Sequence, residues 1–220
     1  MSPLLAHADD LLRGRGGDVN RRVTLLHLLA LIAVFGVFYG AVMGTFGGVR
    51  GERALQLVYS GVKVPLLLLV TFALSLPSFF VLNTLLGVRA DFGESLRALV
   101  ATQAVLTIVL ASFAPFTALW YASSGSYRPA ILFNAAMFGA ASVAAQGLLR
   151  RWYAPLVARN PRHRVLLRVW LVIYAFVGVQ MAWVLRPFVG DPNSPTRFFR
   201  PGAWGNAYVE VARMVVEVIR

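Results

Sequence analysis

The chain has 220 residues, 58% of them hydrophobic and only 14% charged. Soluble domains carry about 25% charged residues, so this composition belongs to a membrane protein. The net charge of +12 rests on twenty arginines and one lysine placed between apolar runs, which points to phospholipid headgroups and away from nucleic acid. The absence of cysteine excludes disulfides, thiol catalysis and thiolate metal sites.

Residues 1–22 open with Ser2 and Pro3, a cap and first-turn pair, followed by Leu4, Leu5, Ala8, Leu11 and Leu12 on one helical face. Asp9, Asp10 and Arg13 take the other face. The pattern fits an amphipathic helix on the cytoplasmic membrane surface, with a disordered tail as the alternative. The first long apolar run begins only after Arg22 and exceeds twenty residues, which reads as a retained span rather than a cleaved signal peptide.

Crossing a hydrocarbon core of about 30 Å takes about 20 apolar residues. Five segments meet that length, near 23–46, 64–86, 98–121, 130–149 and 165–185. All nine acidic residues fall outside them, as expected when a carboxylate at bilayer depth costs several kcal/mol. The fold class that follows is all-α, a five-span membrane bundle over 23–185 with interfacial helices at both termini. Basic residues divide twelve to nine between the two sides, with the cluster RRWYAPLVARNPRHR at 150–164 on the richer one. That places the N-terminus in the cytoplasm and the C-terminus outside, with the 150–164 loop against anionic headgroups.

In the first span Gly36, Gly40, Gly44 and Gly48 recur every four residues and share one slowly drifting helix face. In lipid, such glycines let two backbones approach closely. Ala136, Ala140 and Ala144 repeat the spacing in the fourth span, and we expect the two faces to pack together, within one chain or across an oligomer. Pro77 and Pro115 should bend the second and third spans, freeing the carbonyls of Ala73 and Ala111, for which Ser75 and Ser112 are the nearby hydroxyls.

Residues that carry chemistry are sparse. The polar residues inside the spans include His27, Asn83, Gln103, Thr107 and Asn134, without the intramembrane carboxylates or charged relay typical of ion-coupled transport. The three histidines lack metal-site spacing, and neither a GxSxG elbow nor a phosphate loop is present. Thus no catalytic, cofactor or metal site is expected. Asp91 and Glu94 read as a helix-start capping pair.

The segment 186–206 is unlike the rest. Prolines at 187, 192, 195 and 201 forbid a regular helix and restrict the unfolded chain, so a defined shape is expected. Arg186, Pro187, Asp191, Arg197, Arg200, Trp204 and Asn206 make it the candidate recognition loop, able to pair with phosphates through its arginines or to cap the bundle through its aromatics. Residues 207–220 read as an amphipathic helix too short to span.

The five-span layout and the segment GVRADFGESLRALVAT leading into a proline-containing third span resemble Yip1-type membrane proteins. The acidic motif of the eukaryotic members is absent, so their trafficking role does not carry over. WVLRPFVGDPNSPTRFFR resembles a stretch of uncharacterised bacterial inner-membrane proteins, which implies that location. The function expected from these signals is a non-catalytic scaffold, assembly or interaction protein with a membrane-protein partner or a second copy of itself. A permease or channel component is the alternative, and a lipid-modifying enzyme a third reading.

Overall fold

The computed structural model describes residues 3–13, 24–51 and 53–209. Among them every regular element is helical. A short α1 (Pro3–Leu12) precedes five long helices: α2 (Leu25–Gly44), α3 (Arg53–Leu85), α4 (Phe92–Ser123), α5 (Tyr127–Arg159) and α6 (Arg162–Leu185). A 3-10 turn, Arg89–Asp91, leads into α4. Helices α2 to α6 are long and apolar enough to cross a membrane, so the protein is an all-α integral membrane bundle. At 1.5 Å per residue the 32- and 33-residue helices reach about 50 Å, well beyond a hydrocarbon core of about 30 Å. Residues 150–159 are therefore the last turns of α5, not a loop.

The helices form an arc in the order α6, α3, α2, α4, α5. α4 is the most enclosed, and α5 and α6 bury the least of their surface. Ala8 and Leu11 of α1 join the core beside Leu28, while Leu5 and Leu12 stay exposed, so only part of the expected apolar face is used against the bundle.

The glycine face of α2 packs against α3. A Cβ on Gly44 would stand 2.5 Å from Leu57 Cα, and one on Gly40 would land on the Ser60 carbonyl and 2.9 Å from Gly61 Cα. Gly36 is looser, with Pro65 Cβ and Cδ at 3.3 Å from the added atom. Gly48 lies beyond the helix at φ +106° with open space around it, so it is a turn glycine and not part of the zipper. Ala136, Ala140 and Ala144 are exposed, and within this chain they do not meet the glycine face. Ala141 and Ala145, each one position beyond a residue of that ridge and hence about 100° around the helix, are buried instead. α2 and α3 are joined by a short connection, and α3 offers its own Gly61 at the crossing.

Pro77 and Pro115 both sit inside continuous helices. Ser75 donates to the Thr71 carbonyl and Ser112 to that of Ile108, the usual i−4 acceptors, rather than to the carbonyls freed by proline. Where α1 and α2 begin, His7 and His27, distant in sequence, meet with ring centroids 5.1 Å apart.

The loops at that same end are clasped by charge. Asp91 shows no side-chain cap bond. Its carboxylate instead accepts from Arg159 at 3.0 Å and pairs with the buried His163 ring at 2.9 Å, and Glu94 accepts from Arg159. Residues read as a capping pair therefore tie the α3–α4 connection to the α5–α6 connection. Asp91→Ala leaves the His163 ring buried without its acceptor. We expect a loss of about 1–3 kcal/mol, read as a lower unfolding midpoint in detergent.

Candidate functional site

The first three turns of α3 carry Arg53, Gln56, Ser60 and Lys63, spaced three, four and three residues apart, so their side chains leave one face of the helix. All four reach the segment that follows α6. Lys63 Nζ donates to the Pro187 carbonyl at 2.7 Å. Ser60 Oγ and Gln56 Nε2 donate to the Phe188 carbonyl, Gln56 also bonding Ser60 at 2.9 Å. Arg53 Nη2 donates to the Asp191 carbonyl at 2.9 Å. From the start of α5, Tyr127 OH donates to the Val189 carbonyl at 3.3 Å. Four carbonyls of a five-residue stretch are thus taken by side chains of α3 and α5.

This stretch is a strap lying directly on α3. A Cβ at Gly190 would come 2.8 Å from Gln56 Cγ, so a larger residue there must push the Gln56 side chain out of its place. Lys63 is fully buried, with the Phe198 ring 4.8 Å from its ammonium. A buried ammonium needs charge-assisted and cation–π contacts to offset its lost hydration, and the strap provides both. The far end of the strap is fixed to α6. Gln180 donates to the Gly205 carbonyl and accepts from the Ala207 amide, each at 3.0 Å. Tyr208 stacks on Phe176 and donates to its carbonyl.

The residues named from sequence divide into supports and rim. Pro187 contributes a carbonyl to the clamp, and Asn206 accepts from the Tyr208 amide at 2.9 Å, starting the turn of which residues 207–209 are described. The remainder of the C-terminal helix expected at 207–220 lies outside the described residues. Asp191 turns its carboxylate back on its own loop, accepting from the Asn193 amide and the Ser194 hydroxyl. Arg186 stacks over the Trp183 indole. Arg197 and Arg200 are exposed, and Trp204, 81% exposed, stands beside Phe199.

Two cavities border the strap. One, of about 530 Å³, is lined by Arg53, Gln56, Tyr127, Asp191, Arg197 and Arg200 among others. The second, of about 570 Å³, is mainly apolar and lies between α5 and α6, with Met43, Leu67, Ile131, Ala135, Phe138 and Ala182 in its wall. Tyr127, Pro187 and Arg200 line both. Asn134 also borders the second cavity, where it accepts from Tyr39 OH at 3.2 Å and donates to Tyr121 OH at 2.6 Å. Tyr39→Phe removes a donor from this buried set, and we expect a loss of about 1 kcal/mol in detergent unfolding.

Asn83 and Gln103 line neither of these cavities. Asn83 donates to the Phe79 carbonyl in its own helix, and Gln103 accepts from Tyr174 of α6 at 3.1 Å. Thr107, four residues further along α4, bonds the Ala104 carbonyl of its own helix. The residues that sequence reasoning missed are Arg53, Gln56, Ser60, Lys63 and Tyr127. The signal was present: the only lysine of the chain stands at helical spacing from Ser60 and Gln56, immediately before an apolar run. Comparison with known protein families, curated proteins and solved structures gives no match for this chain.

Proposed function

We propose that the protein is a non-catalytic scaffold or interaction protein of a bacterial inner membrane, whose recognition surface is the strap and the basin beneath it. One observation carries this reading. The polar side chains of the first three turns of α3 are spent on the strap's backbone carbonyls, while the strap's own Arg197, Arg200 and Trp204 are exposed. Buried donors used to fix the shape of a surface loop suit a preorganised binding surface. Asp191, the carboxylate that a lipid-modifying enzyme would need here, is engaged in its own turn. Kinship with Yip1-type proteins, from the five-span layout and residues 87–102, belongs to the same proposal. So do a cytoplasmic N-terminus and an external strap.

A photo-reactive amino acid at Trp204, irradiated in native membranes, tests the proposal. A discrete cross-linked protein, or a cross-linked second copy of the chain, is the expected product. Absence of any discrete adduct there, with normal transport of a solute lost on Asn134→Ala, would replace recognition by transport. A reporter fused after Arg220 that is active only outside the cytoplasm is expected for the topology.

A further inference from the structure

We infer that the two adjoining cavities together form one site for an anionic phospholipid, its phosphate held by Arg53, Arg197 and Arg200 and an acyl chain laid in the groove between α5 and α6. This rests on reading the strap end as the recognition surface and names the chemistry that it recognises.

The charge is one-sided. Among the described residues lining the first cavity, three guanidiniums face one carboxylate, and that carboxylate is already engaged by the Asn193 amide and the Ser194 hydroxyl. The guanidiniums of Arg197 and Arg200 make no hydrogen bond to a described residue, and an arginine fork offers five donors suited to phosphate oxygens. Arg53 is held in place by the Asp191 and Phe46 carbonyls, and its guanidinium has no ion pair with a carboxylate among the described residues.

The other half of the site is apolar and faces sideways. At the far end of the bundle α5 and α6 are in contact, with Tyr153 and His163 ring centroids 5.9 Å apart. At the strap end Ile131 and Ala135 of α5 and Ala182 of α6 stand on opposite walls of the second cavity, and Ile131 is 42% exposed. A gap with mainly apolar walls admits a hydrocarbon chain at little desolvation cost, because Asn134 on its border is already bonded to Tyr39 and Tyr121. Tyr127, Pro187 and Arg200 border both cavities, so the two adjoin at the strap, with the guanidinium of Arg200 at their common edge. A free phosphate ion would leave the groove empty, whereas a lipid uses both halves. The cavity of about 570 Å³ lies within the range of sites that enclose small amphiphiles.

Native mass spectrometry of the detergent-purified full chain tests the assignment, with phosphatidylglycerol, phosphatidylcholine and inorganic phosphate as the probes. Phosphatidylglycerol should be retained about tenfold better than phosphatidylcholine, because both carry the phosphate and only the choline ammonium of the second is repelled by the three guanidiniums. The double variant Arg197→Gln, Arg200→Gln should abolish that preference without lowering the unfolding midpoint, since neither guanidinium holds the fold. Ile131→Trp and Ala135→Phe, which narrow the groove and leave the charges in place, should each weaken retention of both lipids. Excess inorganic phosphate should displace neither.

Equal retention of the two lipids, an undiminished preference in the arginine variant, or no effect of either groove variant would overturn the proposal. Displacement by inorganic phosphate would do so as well, by showing a site for the free anion. Loss of lipid selectivity with the Trp204 cross-link intact would remove the lipid and keep the recognition reading. Loss of the cross-link with selectivity intact would do the reverse.

Discussion

Gly40→Ala and Gly44→Ala are each expected to destabilise the bundle, and the isoleucine substitutions to prevent folding. An alanine is favoured over glycine in a helix by about 1 kcal/mol, so the sign is decided by what the methyl group meets. At Gly40 it meets the carbonyl oxygen of Ser60, and at Gly44 it meets Leu57 Cα at 2.5 Å and the Gln56 carbonyl at 2.7 Å. These are main-chain atoms of a long helix and cannot rotate aside, so α2 and α3 must separate along their whole contact. Overpacking costs about 1–3 kcal/mol where side chains can adjust, and this case belongs at or above the top of that range. Gly36→Ala should be milder, because its neighbours are ring atoms of Pro65 at 3.3 Å. Gly48→Ala should cost about 1 kcal/mol through its positive φ alone. Ala140→Ile, on an exposed face, should leave the unfolding midpoint within about 0.5 kcal/mol of the parent. Unfolding in detergent across these variants checks the series. A harmful Ala140→Ile beside a harmless Gly40→Ile would restore the pairing of glycine and alanine faces.

Lys63→Met is expected to free the strap while changing global stability little. Removing the ammonium relieves the burial of a charge that has no carboxylate partner among the described residues, and it also leaves the Pro187 carbonyl without its donor. These terms oppose each other in the unfolding free energy. They do not oppose each other locally, since both the hydrogen bond and the Phe198 contact hold the strap alone. A charge-assisted hydrogen bond is worth about 1.5–3 kcal/mol, so the amides of Phe188, Val189 and Gly190 should exchange about tenfold faster or more. Ser60→Ala should act the same way and more weakly, because Gln56 still reaches the Phe188 carbonyl. Unchanged exchange in Lys63→Met would mean that the clamp does not hold the strap.

The sequence made the five spans readable because their length and lack of carboxylates leave few alternatives. The span read at 64–86 does not include the first three turns of α3, where Arg53, Gln56, Ser60 and Lys63 interrupt the apolar run. Those residues are helical because the strap satisfies them, and the strap is more than 120 residues further along the chain. The ordered shape of 186–206 was readable from its prolines, but its partner was not, for the same reason of distance. Glycine spacing likewise showed that α2 has a face for close approach without specifying the partner. Gly61 of α3 and the exposed Ala140 of α5 both satisfy a small-residue rule, and only the folded chain separates them. Asp91 and Glu94 obey the local capping pattern, yet Arg159 and His163 compete for the same oxygens and win.

The native chain contains no cysteine, which permits a direct test of the strap's seat on α3. A cysteine pair at Gln56 and Gly190 places its Cβ atoms roughly 4 Å apart, inside the range for a disulfide, because a Cβ at Gly190 lies 2.8 Å from Gln56 Cγ. With a membrane-permeant oxidant the pair should close within one chain, losing both thiols to alkylation, while a cysteine pair at the exposed Val37, which flanks the crossing at Gly61, and Ala140 should stay reduced. A reduced Gln56–Gly190 pair beside an oxidised Val37–Ala140 pair would contradict both the clamp and the packing of α2 on α3.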